Sequence, residues 1–340
     1  MLSRIFPPSI RKPSRILGGV RPRLDPITSD DRSFYSTLFK ISIPITIQHL
    51  VMASLNLIDT IMIGQLGAVE VAAVGLANRF YFIFVLITFA LGSGAAVFTA
   101  QFWGKRDIEH IGKPMAIALL FSFLVGLYFS LGALVVPEYI MAIFTTDRAV
   151  ISTGKEYFQI VAFSYVLTAI TVVFSLVLRS IERASLPMYV SVSAFMLNTF
   201  LNYCLILGEL GFPALGVKGA AIATLIARIV EVVAIVSVSY ARRYPLVTWQ
   251  DILEIPPGFI RQFFAKALPV VANEFFWVMG VTTFALVYGR MGTAEIAAVN
   301  IVSPVEQISV ELFFGLANAA AVMVGNQIGA GREATALAYA

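Results

Sequence analysis

Long apolar runs separated by short polar turns dominate this chain. Eight runs approach or exceed the roughly 20 residues that an α-helix needs to cross a hydrocarbon core of about 30 Å. They cover residues 41–64, 71–103, 114–136, 156–178, 187–208, 216–240, 267–289 and 296–328. Since backbone groups in lipid must satisfy their own hydrogen bonds, these runs are expected to be helices. The pattern predicts an all-α polytopic membrane protein.

The apolar pattern repeats at an offset of 225 residues. Proline, glycine and glutamate positions coincide without a gap: Pro44 with Pro269, Gly64 with Gly289, Gly67 with Gly292, Glu70 with Glu295, and Gly104 with Gly329. We interpret the chain as a duplicated unit. A six-helix N-terminal lobe (41–240) and a cytoplasmic inter-lobe linker (241–266) precede the first two helices of a second six-helix lobe (267–340). Four further C-terminal helices are expected to complete that lobe.

Composition agrees with the hydropathy pattern. Hydrophobic residues make up 59% of the chain, charged residues only 13%, and the mean hydropathy is +0.85. This charge content is about half that of a typical soluble domain, so the chain is predicted to be an integral membrane protein. The single cysteine, Cys204, excludes an intrachain disulfide framework.

The distribution of basic residues predicts the orientation. Most of the 24 Lys and Arg residues fall in residues 1–40 or in loops on the same side as that segment. The N-terminus is therefore predicted to be cytoplasmic, and six spans per copy place both copies the same way up, as parallel repeats. Residues 1–40 are expected to form a disordered basic tail that touches membrane lipid. The net charge of +4 reflects this topology, and no nucleic-acid partner is predicted.

Five acidic residues lie inside the predicted spans: Asp59, Glu231, Glu274, Glu306 and Glu311. Each costs at least about 2.5–3.5 kcal/mol in lipid, so each should face a cavity or a partner. Glu231 follows Arg228 by three residues on one helix face, which predicts a structural ion pair. Glu306 and Glu311 receive no predicted role, and His49 is expected to be a packing residue.

Asp59 has polar residues at its own depth. Asn198, Asn202 and Thr224 are predicted to lie, like Asp59, roughly 8 to 15 Å from the outer helix ends. A carboxylate with amide and hydroxyl oxygens suits Na⁺, and the carboxylate could equally take up a proton. The alternative is interhelical hydrogen bonding that only packs the bundle, worth about 0.6–2 kcal/mol per contact. No other cofactor or metal is predicted. Gln48 and Asn56 are weaker candidates for a substrate cavity.

Several segments resemble the multidrug and toxic compound extrusion (MATE) family. They are Pro44 to Gly67 with Asn56-Leu57-Ile58-Asp59, then Gln101-Phe102-Trp103-Gly104, Asn198-Thr199-Phe200-Leu201-Asn202-Tyr203, Glu274-Phe275-Phe276 and Gly325-Asn326-Gln327-Ile328-Gly329. Together they cover residues 35 to 340.

The resemblance implies a twelve-span exporter with two six-helix lobes, in which Na⁺ or H⁺ enters as small cationic or amphipathic compounds leave. It implies an ion site in the first lobe at Asp59, Asn198 and Asn202, with Thr224 beside it. Asn202 stands where some branches carry Asp. Glu274 matches an acid used by branches with a second-lobe site. The plasma (inner) membrane is the location that the resemblance implies.

The sequence leaves three alternative functions to consider. A lipid-linked saccharide flippase of the same superfamily would share the two-lobe plan, but such proteins line the cavity with several cations. Only Arg79 and Arg228 lie mid-span here. The second alternative is a membrane fragment that transports nothing. An enzyme is disfavoured because the chain has only two histidines and no metal-spaced cluster or phosphate loop.

Overall fold

Helices form most of the structure, a computed structural model that describes residues 29–253, 255–291 and 293–340; several side chains between 249 and 312 fall outside the description. The described residues contain α-helices, a 3₁₀ turn at Ile108–His110 and no strand. The helices are α1 (Ser29–Gly64), α2 (Ala68–Gly104), α3 (Gly112–Val135), α4 (Pro137–Phe144), α5 (Arg148–Val161), α6 (Phe163–Ser180), α7 (Ser185–Leu207), α8 (Val217–Ala241), α9 (Trp249–Leu253), α10 (Pro257–Met291), α11 (Thr293–Gly329) and α12 (Glu333–Tyr339).

The all-α membrane architecture predicted from the sequence is confirmed. Within the described residues, seven helical segments are long and apolar enough to cross a bilayer: Phe34–Gly64, Ala68–Gly104, Ile108–Val135, Phe163–Ser180, Ser185–Leu207, Val217–Ala241 and Ser309–Gly329. The remaining predicted span, 267–289, lies within α10.

Several helices begin before the predicted spans, most clearly α1 and α10. α1 begins at Ser29 and α10 at Pro257, ahead of the predicted residues 41 and 267. Hydropathy marks only the lipid-buried part of a helix, whereas backbone hydrogen bonding continues into the polar turns beyond it. Residues 29–40 of the predicted tail are therefore helical, and residues 1–28 lie outside the described part of the chain.

The fourth predicted span, 156–178, is broken at Ala162 into α5 and α6. The hydroxyl of Ser164 donates to the carbonyl of Val161 at 2.6 Å, and that of Ser130 on α3 donates to the carbonyl of Ala162 at 2.8 Å. The Tyr165 backbone N–H donates to the Ala162 carbonyl, three residues back, at 3.2 Å, so the turn is tightened here and side-chain hydroxyls supply further donors to its carbonyls.

α2 is the central helix of the compact unit formed by residues 37–340. It packs against α3, α5 and α6 on one side and against α10 and α11 on the other. Aromatic side chains fill the core beside it, where the rings of Phe84 and Tyr165 stack with centroids 5.3 Å apart. The second-lobe helices therefore lie directly against a first-lobe helix.

Small residues set the approach of α2 to the second-lobe helices. Gly94 lies against Ala267 of α10, Gly104 against the backbone of Asn326, and Gly329 against the backbone of Gln101. The C-terminal ends of α2 and α11 thus meet on one side of the molecule. Since α2 and α11 are equivalent helices of the two copies, the copies run in the same direction, as predicted for parallel repeats.

The segment that follows α8 is packed against the first lobe. Leu246 and Val247 are buried in the core cluster that contains Met115, and the Thr248 hydroxyl and backbone N–H both donate to Asp251 Oδ2. These bonds cap the short helix α9. The predicted linker, 241–266, therefore contains two helical segments and buried apolar side chains.

Candidate functional site

A cavity of about 460 Å³ lies inside the first lobe, between α1, α2, α5, α6, α7 and α8. Its walls carry polar side chains from all six of these helices. The polar lining residues are Asn56, Asp59, Thr60, Asn78, Tyr81, Tyr157, Ser164, Tyr165, Asn198, Asn202, Thr224, Arg228 and Glu231. The four residues predicted for a first-lobe ion site, Asp59, Asn198, Asn202 and Thr224, all line this one cavity.

Two helix faces supply the central polar groups. Ser191, Phe195, Asn198 and Asn202 are spaced by four, three and four residues on α7, and Thr224, Arg228 and Glu231 by four and three on α8. At these spacings the residues of each helix lie on one face. α7 and α8 approach closely because Gly219, without a side chain, packs against the carbonyl of Leu205.

Asp59 is held by donors from α7. The Thr199 hydroxyl lies 3.4 Å from Asp59 Oδ1. When the Asn198 amide is oriented with its nitrogen toward α1, that nitrogen donates to Asp59 Oδ2 at 2.8 Å, and its oxygen accepts from the Thr224 backbone N–H at 3.2 Å. This orientation satisfies both ends of the amide because an ionised carboxylate can only accept. Asp59, Asn198 and Thr224 thus form one connected polar cluster.

Asn202 lies one turn beyond Asn198 and is 2% exposed. In the orientation in which Asn198 donates to Asp59, the Asn198 nitrogen lies 3.3 Å from the Asn202 amide, so the Asn202 oxygen faces Asn198 and accepts from it. An amide oxygen has two lone pairs, so it can also accept from a water molecule or bind a cation. Asp59 and Asn202 therefore offer negative or partly negative oxygens to the same cavity.

Tyrosine residues close the cavity on the α2, α5 and α6 side. Tyr157 and Tyr165 are both buried, and the Tyr81 hydroxyl lies 3.5 Å from Thr168 Oγ1. Nothing in the sequence pattern distinguishes these three tyrosines as cavity residues. A tyrosine in an apolar run is normally interpreted as a core residue. No proline or other signal in the sequence marks the break at Ala162.

Arg228 and Glu231 form the predicted ion pair in the cavity wall. Arg228 Nη1 lies 2.6 Å from Glu231 Oε2, and the Ser191 hydroxyl donates to Glu231 Oε1 at 2.8 Å. The guanidinium also lies over the ring of Phe195, 5.1 Å from its centroid. Both oxygens of the carboxylate are bound, so Glu231 is a paired group and Asp59 is the cavity carboxylate without a salt bridge among the described residues.

The other predicted site residues are distributed differently. Asn56 lines the cavity with Asp59. Gln48 lies elsewhere on α1, is buried, and accepts from Arg179 Nη2 at 2.8 Å. Arg179, which the topology analysis assigned to a cytoplasmic stretch, is 7% exposed, because the end of α6 packs against α1. The side chains of Glu274 and Glu306 lie outside the described residues.

Two residues without a predicted functional role contact each other across the lobes. His49 Nδ1 of α1 lies 2.9 Å from Glu311 Oε2 of α11. His49 was expected to be a packing residue, but its partner is an ionisable group. The contact was not predicted because nothing in the sequence states that α1 and α11 are neighbours. Arg79, the other mid-span cation, has an exposed side chain.

The model that describes the MatE family matches residues 44–204 and 269–340, more than half of the chain. The chain belongs to the MatE family. The resemblance noted in the sequence is thereby confirmed. The match begins at Pro44, stops at Cys204 and resumes at Pro269, at the start of the second copy.

Relatives of the MatE chain include proteins with a drug-resistance description. The chain is 27% identical over 305 residues to a probable multidrug resistance protein NorM of Rhizobium meliloti, covering 88% of this chain and 64% of that protein. It is 24% identical to the uncharacterized transporter YisQ of Bacillus subtilis, covering 88% and 65%. The chain thus spans a little under two thirds of the length of these relatives.

Solved structures share the fold of the MatE chain. The MATE transporter VcmN of Vibrio cholerae, in a mutant form, superposes with a TM-score of 0.82 at 19% identity and covers 91% of this chain and 69% of that one. A MATE protein solved in complex with MaL6 gives a TM-score of 0.80 at 23% identity. The likeness confirms the expected fold class: a six-helix first lobe followed by the beginning of a parallel second lobe.

Proposed function

We propose that this protein is a secondary active antiporter that exports organic cations or drugs in exchange for Na⁺ or H⁺. The coupling ion is assigned to Asp59, Asn198, Asn202 and Thr224. The observation that carries the assignment is the carboxylate of Asp59, without a salt bridge among the described residues, in one cavity with the amides of Asn198 and Asn202. The drug-resistance description of the NorM relatives supports the substrate class.

The charge of the cavity favours cations over anions. Arg228 is bound to Glu231, so these two residues together contribute no net charge, and Asp59 contributes one negative charge when ionised. A site built to hold the pyrophosphate of a lipid-linked saccharide would need cations that are not already bound to a carboxylate. The flippase alternative therefore has no supporting group in this cavity.

Loss or gain of the ion at Asp59 supplies the energy difference that a two-state transporter needs. An ionised carboxylate in this cavity is stabilised by a bound cation or neutralised by a proton, and its free energy rises when the ion leaves. A conformational change that opens the cavity to one side and then to the other would couple this ion step to movement of the substrate.

Transport in vesicles tests the proposal. An inward-directed Na⁺ gradient and, separately, a proton gradient are applied to vesicles containing wild-type protein or Asp59→Asn, and extrusion of a fluorescent organic cation is followed. Thr60→Val, which changes another cavity residue whose hydroxyl bonds only its own helix at Asn56, is the matched control. We expect gradient-driven efflux from wild type and Thr60→Val but not from Asp59→Asn. Efflux by Asp59→Asn at the wild-type rate would remove Asp59 from the coupling mechanism.

A further inference from the structure

The short helix α4 follows directly on the membrane-spanning helix α3. Pro137 is its first residue, and a proline ring disfavours the helical conformation at the residue before it, so Val136 leaves the helix with φ −128° and ψ 42°. The chain therefore turns at Val136, where α3 ends. With eight residues, α4 is too short to cross a bilayer, and it is not among the seven candidate spans of the described residues.

One side of α4 is packed against α5, and the next side is charged. Met141 is buried and lies against Gly154 of α5, whose lack of a side chain lets the two helices approach closely. Glu138 is exposed, and its Oε1 accepts from Lys155 Nζ, also on α5, at 2.6 Å. A buried contact and an exposed ion pair therefore fasten α4 to α5.

The remaining side of α4 is apolar and exposed. Tyr139 and Ile143 are four residues apart, so they lie on the same face of the helix, and each side chain is 77% exposed. A helix face in contact with water normally carries polar residues. Packing within the described part of the chain does not account for this face, because it leaves most of both side chains uncovered.

The apolar face of α4 continues an exposed apolar stripe of α3. Tyr128, Leu131 and Val135 are exposed and spaced by three and four residues, so they form one stripe that reaches the last residue of α3. Because α3 is a candidate membrane span, we expect this stripe to contact lipid. The end of the stripe marks the level at which hydrocarbon gives way to headgroups, on the side predicted to be the outer one. α4 begins two residues later, at this level.

We propose that Tyr139 and Ile143 form a membrane-interface surface, whose partner is the boundary between hydrocarbon and headgroups in the leaflet where α3 ends. Ile143 enters the acyl chains, and the Tyr139 ring lies at the headgroup level that tyrosine prefers. The pair of Glu138 with Lys155 remains in water. Each of the three sides of α4 then has an environment that matches its chemistry: protein, lipid or water.

The interface surface fixes one wall of the cavity that contains Asp59. Tyr157 lines that cavity and follows Gly154 and Lys155, the two α5 residues that contact α4, by three and two residues. An α4 helix held by lipid therefore restricts the position of the α5 turn that carries Tyr157. The inference does not depend on which ion or compound the protein moves, because it concerns only the contact of α4 with lipid.

Spin-label accessibility in lipid nanodiscs tests the surface. Cys204→Ala removes the single native cysteine, and single labels are attached through new cysteines at Tyr139 or Ile143. Leu131 of α3 gives the lipid reference, and Arg148, exposed at the start of α5, gives the water reference. The relaxation agents are oxygen, which dissolves in hydrocarbon, and a water-soluble nickel complex. We expect both α4 labels to favour oxygen more than the Arg148 label does, at a depth nearer the headgroups than Leu131.

Two accessibility results overturn the proposal. Nickel accessibility at both α4 labels equal to that at Arg148 would place this face in water. Protection of both labels from both agents would mean that protein, and not lipid, covers the face. Dipolar broadening that disappears on dilution with unlabelled chain would then identify the covering protein as a second copy.

Substitution of two adjacent residues separates a lipid contact from a general effect of charge. Ala142 is exposed like Ile143, but it lies four residues after Glu138 and therefore on the charged side of α4. Ile143→Asp should speed amide hydrogen exchange in α4 and in the first turns of α5 by at least about fivefold, because a carboxylate cannot stay in the acyl chains. Ala142→Asp should exchange at the wild-type rate. Equal exchange rates in the two variants contradict a lipid-facing Ile143.

Discussion

Gly104 and Gly329 occupy equivalent positions in the two copies. Gly104 packs against Asn326 of α11, and Gly329 packs against Gln101 of α2. A methyl group added to Gly104 would overlap the carbonyl oxygen of Asn326, and one added to Gly329 would overlap that of Gln101. Gln101 and Asn326 are themselves separated by the repeat offset of 225 residues. The contact of Gly104 with Asn326 and that of Gly329 with Gln101 are therefore related by approximate two-fold symmetry between the C-terminal ends of α2 and α11.

Substitution of either glycine should open this contact. We expect Gly104→Ala and Gly329→Ala each to lower the free energy of unfolding by about 1–3 kcal/mol, because the overlapping atoms are backbone and cannot rotate away. Reversible unfolding in mixed detergent micelles measures the change. Gly75→Ala, in α2 but with no neighbouring atom within 4 Å of the added carbon, is the control and should be neutral or stabilising. Equal effects at Gly75 and Gly104 would refute the close contact.

Neutralising Asp59 should abolish the stabilisation by the bound ion without weakening the folded state in salt-free buffer. Bound ions stabilise the folded state, by about 2.7 kcal/mol when the ion is present at 100 times its dissociation constant. We expect wild type to gain thermal stability as NaCl is added or, if the ion is a proton, as the pH falls. Asp59→Asn keeps the side-chain shape and removes a partly buried charge, so it should lose this response without losing stability in salt-free buffer. A response to the ion that survives in Asp59→Asn would place the ion elsewhere.

Truncating one partner of the Arg228–Glu231 pair should be far more damaging than removing both. Glu231→Gln leaves a guanidinium without its counter-charge in the membrane interior, and breaking a buried pair in this way costs about 3–5 kcal/mol. The combined Arg228→Met and Glu231→Gln change should recover much of that loss. A denaturation series on Glu231→Gln, Arg228→Met and the double variant measures the coupling energy.

An exposed pair on the same chain gives the reference for that series. Lys155 Nζ and Glu138 Oε1 lie 2.6 Å apart, as close as Arg228 and Glu231, but both side chains are well exposed. Glu138→Gln should therefore cost no more than about 1 kcal/mol. Similar losses in Glu138→Gln and Glu231→Gln would show that burial does not control the strength of the cavity pair.

The hydroxyl of Ser130 should stabilise the break between α5 and α6. It donates to the carbonyl of Ala162, which also accepts from the Tyr165 backbone N–H at 3.2 Å, so Ser130→Ala removes one of two donors and should cost about 0.5–1.5 kcal/mol. Ser54→Ala removes only a bond from an exposed hydroxyl to the carbonyl four residues earlier and should be nearly neutral. Equal unfolding free energies for Ser130→Ala and wild type would mean that the break does not need this bond.

The sequence by itself determined the class of the protein, because a hydrocarbon environment permits few backbone solutions. Runs of about 20 apolar residues had to be helices, and the repeat offset identified equivalent helices in two copies. The pairing of Arg228 with Glu231 followed from a three-residue spacing, which is fixed by helix geometry alone. Each of these inferences depends on distances within one helix.

Tertiary structure decided every relationship between helices. The depth of Asp59, Asn198 and Asn202 was readable from the sequence, but depth does not state which faces of α1, α7 and α8 meet. The break at Ala162 depends on a hydroxyl from another helix, so Tyr157 and Tyr165 were not identified as cavity residues. Gln48 and His49 face different helices because α1 lies between α6 and α11, an arrangement set by packing around glycines such as Gly315 and not by spacing along the chain.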